Sequence, residues 1–108
     1  MGRAEDRVID AFQKEVELIV DLITDEAGKA DKADIPGMLA LFDDLKFMRD
    51  EWTERERNPI PIASGSFATG YRPAVSPEYI TRLAGMRAEI ANDAVNETEK
   101  ILKARKFI

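Results

Sequence analysis

The residues of this sequence most able to do chemistry fall in one segment and at one isolated position. The segment is Ser64-Gly65-Ser66-Phe67-Ala68-Thr69-Gly70-Tyr71-Arg72. Gly65 and Gly70 have the G-x-x-x-x-G spacing of a phosphate-cradling loop, but Tyr71-Arg72 stands where such a loop needs Lys followed by Ser or Thr. No strand-like run precedes it, and residues 71–76 separate Gly70 from the next helix start. Walker-type nucleotide hydrolysis is therefore set aside. A weaker anion site remains open, in which the amides of Ser64, Gly65, Ser66 and Gly70, with Tyr71, Arg72 and a helix N-terminus, hold a nucleotide or another anion. The plainer reading gives the glycines to turns and lets Ser and Thr satisfy backbone groups.

The isolated position is Arg87, which helical phase places among Ile80, Leu83, Ile90 and Ala94. An arginine on an apolar face needs an acceptor, since burying an unpaired charge is costly. Glu15 and Glu26, on the edge of the first helix's apolar face, are the intramolecular candidates. An anionic ligand or a partner's carboxylate is the functional alternative, and snorkelling to water is the third.

What is missing narrows the chemistry further. The chain has no cysteine and no histidine, which removes thiolate chemistry and the commonest general base and transition-metal ligand. Asp25, Glu26, Asp31 and Asp34 are acidic neighbours, but their spacing is not that of a calcium loop. No E-x-x-H occurs, so the di-iron bundle pattern is absent. The expectation is a non-enzymatic protein with no catalytic residue, metal or cofactor.

The 108 residues, 44% apolar and 34% charged, suit one helical domain spanning 1–108. No apolar run approaches the roughly 18 residues that cross a bilayer, and Met-Gly-Arg-Ala-Glu-Asp does not open like a signal peptide. A cytoplasmic location without membrane contact is expected. Residues 1–57 carry 9 Lys and Arg against 16 Asp and Glu, net −7, whereas residues 58–108 carry 7 against 5, net +2. An acidic chain repels phosphate backbones, so no nucleic-acid partner is expected. The asymmetry suits contact between copies or with a basic partner.

Three helices must position these residues. The first, about 4–28, turns Val8, Ile9, Phe12, Val16, Ile19, Val20, Ile23 and Ala27 to one face, and Leu18 and Leu22 widen it. Gly28 reads as its end. The second, about 35–57, opens on Asp34 as N-cap with Pro36 in the first turn. It aligns Met38, Leu41, Phe42, Leu45, Met48 and Trp52. Phe47 falls on its opposite, acidic side, as an ordinary exposed aromatic or as a partner anchor. The third, about 77–105, starts at Ser76-Pro77-Glu78; its face is Ile80, Leu83, Met86, Ile90, Ala94 and Ile101, bordered by Ala84, Ala91, Val95 and Leu102.

The chain thus reads as an all-α three-helix bundle with a long connection, 58–76, between helices two and three. That stretch exceeds the roughly 12–15 residues of an ordinary loop. Pro59, Pro61 and Pro73 stiffen it, while Ile60, Ile62, Phe67 and Tyr71 make it adhesive. With Phe47 and the C-terminal Phe107 they form the candidate interface set. The expected function is a small interaction or assembly protein acting by homo-oligomerisation or by docking on a partner protein. The alternative is a protein that sequesters an anionic small molecule. Deleting residues 62–70 should change the oligomeric mass in light scattering; an unchanged mass rules out assembly through this arm.

Overall fold

A computed structural model of the chain describes residues 3–58 and 77–108. They form an all-α three-helix bundle: α1 spans Arg3–Ala27, α2 Ile35–Arg57 and α3 Pro77–Ala104. Glu5 lies beside Arg82 at one end of the molecule, and Ala27 lies beside Phe107 at the other. Trp52 of α2 meets Arg87 of α3 near the first of these ends. Hence α1 and α3 run in the same direction, and α2 runs antiparallel to both.

The turn from α1 to α2 is fixed by two carboxylates. Asp34 caps α2 as its sequence context predicts: its side chain accepts the Gly37 amide at 3.1 Å and its carbonyl accepts the Met38 amide at 2.9 Å. Glu26, in the last turn of α1, accepts the Asp34 amide at 2.7 Å and the Lys29 ammonium at 2.9 Å. Hydrogen bonding from Lys29, then from the Asp34 amide, holds the Glu26 carboxyl below its usual range, and the same pair pushes Lys29 up. The chain reverses through a short 3-10 turn at Ala30–Lys32. Its left-handed residue is Ala30, with φ 55°, and not Gly28. The Gly28 amide bonds the Thr24 carbonyl at 3.1 Å and closes the last turn of α1, which ends at Ala27 where the glycine marks its stop.

The core is built from Val16, Ile19, Val20, Ile23 and Ala27 of α1, and Met38, Phe42 and Leu45 of α2. These match the faces read from the sequence. On α3 the buried set is instead Ala84, Ala88, Ala91, Ala94, Val95, Thr98 and Leu102. The helix is rotated relative to the expected face, so that its alanine border is the part pressed inward. Leu83, Ile90 and Ile101 are only half-buried, and Met86 is exposed. Small side chains explain the difference. They let α3 approach α2 closely, and α2 with α3 is the most extensive helix pair in the molecule. Thr98 is fully buried, and its hydroxyl is satisfied by the Ala94 carbonyl at 2.8 Å, with the Val95 carbonyl at 3.1 Å.

Past Ala104 the chain closes with a Schellman turn. Lys106 is left-handed, with φ 63°; its amide bonds the Lys103 carbonyl at 3.1 Å and the Phe107 amide bonds that of Leu102 at 2.8 Å. Phe107 is thereby folded back against the core beside Leu102.

An alanine at positive φ costs about 1–2 kcal/mol, and the unfolded-state entropy of glycine returns about 0.4–1 of it. Ala30→Gly should therefore raise the thermal midpoint by roughly 2–5 °C. Gly28→Ala should be neutral or mildly stabilising, since a Cβ there meets only backbone oxygens at 3.4 and 3.7 Å. The opposite ranking in calorimetry would put the left-handed residue at Gly28.

Candidate functional site

Near the end of the bundle where α1 and α3 begin, all three helices meet in one stacked layer. The Arg87 guanidinium lies 4.3 Å from the centre of the Trp52 ring and 5.8 Å from that of Phe12. The two rings meet edge to face, 6.2 Å apart at 82°. Arg55, one turn beyond Trp52 on α2, lies 4.8 Å from the same indole. A guanidinium over an aromatic face is attracted by the ring quadrupole, by about 0.5–2 kcal/mol depending on desolvation. This gives Arg87 a place among side chains that phase alone could not name.

Of the two glutamates paired with Arg87 on sequence grounds, Glu26 is at the far end of α1 and holds Lys29 and the Asp34 amide. Glu15 does lie near Arg87: the two line one surface depression of about 380 Å³, together with Val8, Ala11 and Phe12. One turn outward, Glu5 is 3% exposed and forms an ion pair with Arg82 that ties α1 to α3. Glu5 was not among the candidate residues. Its signal was its phase, because it stands seven residues before Phe12, two helical turns away on the same apolar face.

The two long sides of α1 differ. Toward α2, Leu18 is 59% and Leu22 47% exposed, so the widened apolar face is not fully covered by the other two helices. Leu22 adjoins an open depression of about 310 Å³ whose other walls include Met38 and Leu41. Toward α3, α1 borders a groove of about 380 Å³ with Val16 and Val20 on one wall and Ile90 and Ala94 on the other.

Phe47 is 63% exposed on the outer side of α2. Phe107 is half-buried against its own core. Ser64, Gly65, Ser66, Gly70, Tyr71 and Arg72 of the anion set, and Ile60, Ile62 and Phe67 of the interface set, lie outside the described residues. Of the anion set, Arg87 alone lies within the described residues.

Among the described residues no group of three or more Asp and Glu side chains is placed to hold a metal ion, and no helix is long and apolar enough to cross a membrane. Comparison with protein-family models, with curated proteins and with solved structures finds no match to this chain. The fold and its surfaces are thus the basis for a functional reading.

The stacked layer makes a measurable claim. Trp52→Ala should destabilise by about 2–3 kcal/mol, less than a fully buried tryptophan would. In a double-mutant cycle with Arg87→Met, a coupling near 1 kcal/mol is expected. Purely additive losses in denaturant titrations would show that the stacking contributes nothing.

Proposed function

We propose that the protein is a non-enzymatic helical interaction module that works by burying the outer apolar stripe of α1 against another protein chain, with a second copy as the first occupant to test. The observation that carries this reading is the pair Leu18 and Leu22. They are four residues apart on one helix face, and both remain largely exposed although the bundle has a core able to take aliphatic side chains. Single exposed leucines are common, but an aligned pair beside an apolar depression is how a helix presents anchors to a partner. Leu41, half-buried on the adjoining side of α2, extends the patch.

Capture of a nucleotide or other anion draws less support. Its loop residues are outside the described set, and Arg87, the one member described, is stacked on Trp52 and Phe12.

Leu18→Glu combined with Leu22→Glu replaces exposed side chains and should leave helicity by circular dichroism unchanged. Light scattering across a concentration series should show an assembled wild type and a monomeric variant. A monomeric wild type at high concentration, or an assembly that survives both substitutions, removes self-association through this stripe.

A further inference from the structure

The exposed side of α1 carries a second pattern beside its leucines. At about 100° per residue, Ala4, Ala11, Leu18 and Leu22 fall within about 40° of one another, and all four are exposed. From Ala4 to Leu22 this seam rises through 18 residues, or about 27 Å at 1.5 Å per residue. Alongside it runs a strip of charge, Arg7, Lys14, Asp21 and Asp25, also exposed and also within about 40°. Seam and strip both face away from Val16, Ile23 and Ala27, by which α1 joins the bundle.

The strip is polarised along its length. Its N-terminal half is basic, with Arg7 and Lys14, and its C-terminal half is acidic, with Asp21 and Asp25. Lys14 pairs with Asp10, one turn back, at 3.5 Å, but both side chains are mostly exposed and such a pair is weak. In a closed dimer the same patch serves both subunits, so the patch must complement itself. A parallel copy of α1 would set Lys14 on Lys14 and acid on acid. An antiparallel copy sets each basic half on the partner's acidic half. The charge on this surface therefore names both its occupant and its direction.

The leucines set the register. A two-fold axis passing α1 between residues 19 and 20 brings Leu18 opposite the partner's Leu22. The same axis brings Lys14 opposite the partner's Asp25, with the partner's Asp21 one turn, or about 6 Å, along the helix. Glu15 comes nearest the partner's Glu26, whose charge Lys29 already holds at 2.9 Å.

We propose that α1 pairs with α1 of a second copy in antiparallel orientation, with Leu18 and Leu22 packed on their counterparts and Lys14 facing Asp21 and Asp25 across the axis. The pairing rests on the leucine contact proposed above and adds its direction and register. Two bundles then sit back to back, with their α2–α3 pairs on the outside.

Four variants of the full chain test it, each first checked for helicity by circular dichroism and then followed by sedimentation equilibrium at low salt over a dilution series. Lys14→Glu should weaken the dimer by about tenfold or more. Asp21→Lys with Asp25→Lys should weaken it by a similar factor. The variant carrying all three substitutions restores opposite charges across the axis and should return to within about threefold of the wild type. It still lacks the Lys14–Asp10 pair, so its recovery reports contact between chains. In a parallel dimer Lys14→Glu only exchanges one like-charge contact for another, and combining the substitutions gains nothing. An unmoved dimer in Lys14→Glu, or a triple variant as weak as its parents, therefore overturns the antiparallel pairing. Either result leaves the leucine contact standing if Leu18→Glu with Leu22→Glu, the fourth variant, dissociates the dimer. A wild type that stays monomeric at high concentration overturns both.

Discussion

The bundle depends on the close approach of α2 and α3, made possible by alanine. Ala84, Ala88 and Ala91 are all buried, where larger residues would hold the helices apart. Once that ridge is pressed inward, much else follows from geometry. Thr98 is drawn into the interior and must turn its hydroxyl to the backbone. Met86, Ile90 and Ile101 are carried to the side, and Ile90 lines a groove beside α1 instead of the centre of the core. Gly85 sits beside Glu56 of α2, and a Cβ built there would lie 2.6 Å from the carboxylate, so the absence of a side chain gives that glutamate its room.

How much of this was legible in the sequence depended on how local the cause was. Asp34 as N-cap, Pro36 in the first turn and the Met38, Phe42, Leu45 face follow from residues within one or two turns of each other, and the structure has all three. The helix starts and ends were legible for the same reason. The rotation of α3 was not, because periodicity weighs a residue by its hydrophobicity while packing also weighs it by size, and alanine scores low on the first and high on the second. Gly28 marked the end of α1 correctly, but the left-handed residue of the turn, Ala30, carried no sequence signal, because the contacts of Glu26 with Lys29 and with the Asp34 amide fix the path of the turn.

The candidate site was legible in part. Arg87 was singled out by phase, but its neighbours were sought among acids because charge is the most visible complement to charge in a sequence. That Trp52 and Phe12 stack on it depends on the relative register of three helices. Glu5 escaped for a similar reason: a carboxylate near a chain end reads as a solvated residue until Arg82 is placed beside it. The exposed leucines were visible as excess width of the first helix's face, and which side of that excess remains open emerged only when α2 and α3 were packed.

Trp52 is the only tryptophan in the chain. It sits where α1 supplies Phe12, α2 supplies Arg55 and α3 supplies Arg87. Its ultraviolet emission is therefore a built-in optical gauge of whether the three helices are docked, whereas the circular dichroism of the backbone reports only whether they are helical. A chain that loses α1 from the α2–α3 pair while each helix persists would change its fluorescence before its ellipticity. The native sequence thus carries a label that distinguishes undocking from melting, without any probe being attached.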